Sequence, residues 1–201
     1  MNIPSLLLAL VLSASANPGL FGRSDADPPD PAIVLQARSV AVSDRMEAIA
    51  ILEDYLAEGT NQELMPIVAL NAGEQRRLAG DAASAREHFQ QVAKSWPDHG
   101  AKQAAALGLA LLAYDAGAAS GNTAATLELI DDPSVPDSMN ADRFRLLALQ
   151  KSQAGAGDTE LALLVENAFA SAKGDPAVEA RVARSLAHLA PDDMDVSAGA
   201  G

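Results

Sequence analysis

The side chains here with the strongest claim to acid–base or metal chemistry are three histidines and a few grouped carboxylates. His88, His99 and His188 could carry a proton near neutral pH or ligate a metal. A helical zinc site needs two such rings four residues apart, and no pair has that spacing. His88 is expected on a solvent-facing position, His99 in a turn, and His188 near a helix end, where a positive charge suits the dipole. Glu53-Asp54 could serve proton transfer, but adjacent carboxylates on a helix read first as a wet face. The runs Asp25–Asp30 and Asp192–Asp195 lack the glycine turn and closing glutamate of a calcium loop and read as solvated tails. Cysteine is absent, which excludes thiolate nucleophiles, disulfides and sulfur-ligated metals. No Gly-x-Ser-x-Gly elbow, phosphate loop or Gly-x-Gly-x-x-Gly turn is present. The sequence therefore predicts no catalytic residue, no metal and no cofactor.

The elements that carry these residues are helical. Aromatics make up only 3% of the 201 residues, so alanine and leucine must fill the core, which favours closely packed helices. Alternating β-branched runs are missing. Asp30-Pro31, Asp132-Pro133 and Asp175-Pro176 each pair a capping carboxylate with a proline at the first helical position. The second could be a loop, because Pro136 follows; its helix would then start near Ser138, capped from Asp137 or Ser138.

The stretch from Gly80 to Pro97, GDAASAREHFQQVAKSWP, places Ala85 and Phe89 four residues apart behind a Gly-Asp turn. Ser43-Asp44 leads in the same way to Ala48, Leu52 and Tyr55, and Gly157-Asp158 to Ala162, Glu166 and Phe169. The starts lie 37 and 77 residues apart, which leaves room for a degenerate copy at Ser120-Gly121, Ala125 and Leu129. A helix–turn–helix unit recurring at roughly 38 residues means a solenoid. A small residue lets two helices approach, and a large one a turn later fills the gap to the next pair. Longer apolar helices, about 32–41, 61–79, 99–116 and 138–154, precede the four windows, and 176–190 reads as a cap. The predicted fold is all-α: a right-handed α-solenoid of about four antiparallel hairpins plus a C-terminal capping helix. Trp96 either closes the end of its hairpin or anchors a contact.

The Ala85…Phe89…Pro97 constellation behind Gly80-Asp81, with Gly73 seven residues earlier, resembles the second-helix and first-helix motifs of the tetratricopeptide repeat family. The family's first-helix tryptophan and tyrosine are replaced by Ala69 and Arg76. The resemblance spans 32–190 and implies a concave groove lined by first helices, where peptides or partner proteins lie. Carried over, the lining is Ile67, Leu70, Glu74 and Arg77, then Ala104, Leu107, Leu111 and Tyr114, then Phe144, Leu147 and Lys151. Arg77, Tyr114, Phe144 and Lys151 are the candidate binding residues, expected to be partly accessible on one hollow.

Residues 3–12, IPSLLLALVL, followed by Ala14-Ser15-Ala16, look like a secretory signal peptide cut after Ala16. The run is short for a membrane span, although an uncleaved anchor or a buried first helix is the alternative. Residues 17–31 read as a flexible acidic, proline-rich linker and 191–201 as a disordered acidic tail. A periplasmic or secreted protein is expected, with no membrane span once the leader is cut. Its net charge of -13 argues against nucleic acid and anionic bilayers. The reading is an exported scaffold that binds a protein or peptide, with envelope assembly as a setting suggested by the resemblance. A structural or self-associating module is the alternative, and an enzyme with an unfamiliar site the third reading.

Overall fold

Asp44, Asp81 and Asp175 each stand just before a helix and accept from its first-turn N–H groups: Glu47 N at 3.0 Å, Ser84 N at 3.1 Å, and Ala177 and Val178 N at 3.1 and 3.2 Å. These caps satisfy donors that a helix leaves open at its start. The computed structural model describes residues 31–59, 61–118, 126–127 and 135–189. Eight complete helices lie there: α1 Ala32–Ala41, α2 Arg45–Glu58, α3 Met65–Leu78, α4 Ala82–Ser95, α5 Ala101–Asp115, α6 Asp137–Gln153, α7 Asp158–Ala172 and α8 Pro176–Leu186. Thr126 and Leu127 are also helical, and no strand occurs among the described residues. The predicted leader, linker and tail, and most of the predicted third window, lie outside those residues. A helix begins at Asp137, close to the later of the two predicted starts, but the cap expected from Asp137 or Ser138 does not form: Pro136 stands at the cap position with no side-chain bond.

Three helices end alike. α3, α5 and α6 run into Ala79-Gly80, Ala116-Gly117 and Ala154-Gly155, each glycine with positive φ. The next residue then bonds back across the turn, from Asp81 N to Arg76 O, Ala118 N to Ala113 O, and Ala156 N to Lys151 O, at 2.8–2.9 Å. Only glycine takes that left-handed position cheaply. Asp81 caps α4 directly after its glycine, whereas α7 starts from Gly157, two residues after Gly155. That extra residue shifts the register predicted for the last window. Ala48 and Ala85 are fully buried as expected, but Ala162 is only half-buried and Glu166 is exposed. Val165, Ala168 and Ala172 face the core instead.

Successive helices pack on each other wherever both are described, and α1 with α3, α3 with α5, α5 with α6 and α6 with α8 pack as well. The central helices are buried on more than one face. α5 buries Ala101, Ala104, Ala105, Leu107, Gly108 and Leu111 among others, as a helix apolar nearly all round must. Phe89 is fully buried between α3 and α5. A Cβ on Gly73 would lie 2.8 Å from its ring, and one on Gly108 2.6 Å. Both glycines are therefore the absence of a methyl group that the ring occupies. Trp96 packs half-buried against the same core, so it closes the hairpin end. A smaller cluster of Val34, Ala37, Ala48, Leu52, Val68 and Ala72 joins α1, α2 and α3.

Candidate functional site

Of the four candidate binding residues, Arg77 departs furthest from expectation. Its side chain is 1% exposed. Nε and Nη2 bind the two oxygens of Glu74, one turn earlier on α3, at 2.8 and 2.9 Å. Nη2 also reaches Asp142 Oδ2 on α6 at 2.7 Å, and Nη1 reaches Asp115 Oδ2 at the end of α5 at 3.2 Å. Asp142 holds Arg145 at 2.9 Å and Arg181 of α8 at 3.2 Å. Ser138 Oγ donates to Glu74 at 2.7 Å. Three arginines thus face three carboxylates across four helices, and α8 covers the position where an open hollow was expected.

Arg77 and Asp142 hold each other ionised. Burial disfavours the Arg77 cation, but Glu74 and Asp142 outweigh it and hold the guanidinium above its ordinary range. Burial likewise disfavours the Asp142 anion, yet Arg77, Arg181 and Arg145 keep its carboxyl below the usual value. Arg181 shifts the other way: burial lowers it more than Asp142 raises it, and its Nε is buried without a partner.

Phe144 is 2% exposed, with Arg143 over its ring at 4.9 Å. It is a core residue, as are Leu70, Glu74, Ala104, Leu107, Leu111 and Leu147 of the predicted lining. The expected accessibility of Arg77 and Phe144 is therefore corrected: the first-helix faces that should line a groove are packed against their neighbours and α8. Tyr114 and Lys151 remain half-buried. The Tyr114 hydroxyl accepts from Gln150 Nε2, and Lys151 Nζ lies 3.4 Å from Glu160 Oε1. Phe144 and Lys151 share a cavity of about 320 Å³ between α6 and α7, with Leu147, Leu163, Leu164 and Asn167. Leu163 is 50% exposed there. Arg77 does not line this cavity.

Glu53 and His88 also depart from expectation. Arg76 Nε and Nη2 grip the Glu53 carboxylate at 2.9 and 2.7 Å, and His88 Nε2 lies 3.2 Å from it. The Arg76 hydrogen bonds, against a cost of burial and aided by His88, keep the Glu53 carboxyl below its ordinary value. Neither residue is on a freely solvated face; they tie α2, α3 and α4 together. His99 Nδ1 accepts from Ala101 N at 3.0 Å and so caps α5. His188 is exposed. Among the described residues no group of three or more His, Asp or Glu could hold a metal, and no helix is long and apolar enough to cross a membrane.

The network had partial signals in the sequence. Glu74-Arg77 and Asp142-Arg145 are both spaced i, i+3; nothing local pairs them with each other or with Arg181. Comparison with family models, with curated proteins and with solved structures finds no match.

Proposed function

We propose that this chain is an exported helical scaffold of the tetratricopeptide type, built as a right-handed solenoid of about four hairpins with α8 as its cap, which binds a protein or peptide partner. The observation that carries the reading is Phe89 set between Gly73 and Gly108 on successive first helices. Such an intercalated ring between small residues is what a stacked hairpin array requires. The three Ala-Gly turns after α3, α5 and α6 support the same period. The work in this reading is binding rather than catalysis: the strongest polar cluster is charge-balanced, and its centre, Glu74, Arg77 and Asp142, is buried. The setting is the periplasm or the exterior, with envelope assembly as the process served.

The contact surface in this reading is the α6–α7 cavity. Leu163 offers an exposed apolar anchor, and Lys151 with Glu160 sets a charged rim. Affinity capture from envelope extract with the chain lacking residues 1–16 tests it. A partner retained by the wild type should be lost with Leu163→Glu at unchanged melting temperature; equal retention by both removes this surface.

One observation favours self-association as the second reading. Leu35, Val42 and Met46, all on the first hairpin, are exposed by more than half. Light scattering across a concentration series decides: a strict monomer at high micromolar concentration ends that reading.

A further inference from the structure

The α6–α7 cavity holds a polar side chain with an unmet bond. Asn167 lines it, and Asn167 Nδ2 is buried without a partner. Buried donors in native proteins are seldom left this way, so this one asks for an oxygen from outside. The side chain as a whole is partly exposed. The terminal torsion of an asparagine is soft, so a turn of the amide lets the donor meet an incoming acceptor.

The neighbouring charges define what kind of oxygen fits. Arg143 spends Nε on Leu127 O at 2.7 Å and Nη1 on Asn140 Oδ1 at 3.3 Å. Lys151 Nζ lies 3.4 Å from Glu160 Oε1. With both cations of the lining engaged, the lining suits an uncharged carbonyl better than an anion.

The register of the two helices orders the cavity. It takes positions 143, 144, 147 and 151 from α6 and 160, 163, 164 and 167 from α7, each set one face of a helix. The short turn at 154–157 joins the two helices, which pack on each other, so they form an antiparallel hairpin. Lys151 and Glu160 meet beside that turn. Asn167 stands two turns further along α7, about 10 Å away at 1.5 Å per residue, with Leu163 and Leu164 between. The lining is therefore polar at its two ends and apolar in the middle. A length of about 10 Å is three residues of extended chain. A helical occupant would not serve, because a helix spends its carbonyls internally except in its last turn. An extended segment keeps a carbonyl free at Asn167 and lays a side chain on the leucines.

We propose that this cavity takes an extended segment of a partner peptide, about three residues long. One of its backbone carbonyls accepts from Asn167 Nδ2, and a neutral, leucine-type side chain lies against Leu147, Leu163 and Leu164. The inference rests on the reading of this cavity as the contact surface and adds the form and chemistry of what enters it.

The probe is the capped tetrapeptide acetyl-Gly-Leu-Gly-Gly-amide, titrated to millimolar concentration into the isotope-labelled full chain. The Asn167 side-chain amide resonance should shift saturably. The alanine counterpart, acetyl-Gly-Ala-Gly-Gly-amide, should bind at least about fivefold more weakly. An alanine-based helical peptide with the same single leucine should leave the Asn167 resonance in place. Asn167→Leu removes the donor and should weaken the tetrapeptide about fivefold. With no donor left stranded, its unliganded melting temperature should be at least that of the wild type. If Asn167→Leu fails to fold, the wild-type titration decides alone. No saturable shift at Asn167, equal binding of the helical peptide, or wild-type affinity in Asn167→Leu would each overturn the proposal. Failure of the surface itself is read separately. A captured partner lost with Leu163→Glu but held equally by Asn167→Leu keeps the surface and removes the extended segment; one held equally by Leu163→Glu removes both.

Discussion

Phe89 and its two glycines turn a common rule around. Alanine is a better helix former than glycine by about 1 kcal/mol, so Gly108→Ala in the middle of α5 ought to stabilise. Here the added methyl would stand 2.6 Å from the Phe89 ring. Overpacking costs roughly 1–3 kcal/mol and should win, so Gly108→Ala is expected to lower the melting temperature. In the Phe89→Leu background, where the ring is gone, the same change should be neutral or stabilising. Denaturant titration of the four variants measures that non-additivity; a purely additive result would mean the ring moves aside freely. Asp142 gives the second test at this scale. Its carboxyl is depressed by burial-opposed attraction to Arg77, Arg181 and Arg145. Its stabilisation is thus complete above the ordinary carboxylate value near 3.8 and drains away as pH falls below that through the folded-state value. Asp142→Asn leaves the three arginines under-compensated and should cost about 3–5 kcal/mol near neutral pH. Because the variant has already lost the titrating group, its deficit relative to wild type should shrink on acidification below about pH 4. A constant deficit across that range, read from melts in a pH series, would show that Asp142 is not the linked group.

At the scale of the helix, α7 separates sequence register from structural register. Val165 is buried and Glu166 exposed. Val165→Asp should therefore destabilise by several kcal/mol, since it buries an unpaired charge, while Glu166→Ala should stay within about 0.5 kcal/mol. Chemical denaturation of both distinguishes this register from the one in which residue 166 faces inward. The helices themselves were legible because their caps are local: Asp44, Asp81 and Asp175 bond to N–H groups two or three residues away. The core position of Phe89 was legible for the same reason, and the recurring Ala-Gly at 79–80, 116–117 and 154–155 was also in plain view. What could not be read was anything that joins distant helices. Arg77 looked like a groove cation because a single sequence does not show that Asp142 and α8 lie over it. Arg45, at the first position of α2, sits where the helix dipole disfavours a cation. Its partners are distant: Asp175, 130 residues away, supplies the counter-charge, and Gln75, 30 residues away, a further acceptor.

For the molecule as a whole, that Arg45–Asp175 pair at 3.0 Å joins the first hairpin to the turn before α8. Helices that packed only on their chain neighbours would pass stability only from each to the next; this pair is a clasp between elements 130 residues apart. Arg45→Ala keeps the Asp175 cap on α8 and removes the clasp together with the Arg45–Gln75 bond to α3. It should cost about 1 kcal/mol or less and raise amide exchange in both α2 and the first turn of α8. Exchange that rises in α2 alone would show that the ends are independent. The buried network carries a related consequence for how the fold closes. Arg181, on the last helix described, is one of the cations that hold Asp142. With α8 undocked, Glu74, Asp115 and Asp142 outnumber Arg77 and Arg145, and the excess negative charge has to stay hydrated. A form with its other helices in place and α8 detached is therefore expected to hold a wet centre, which dries only when the last helix is laid in place.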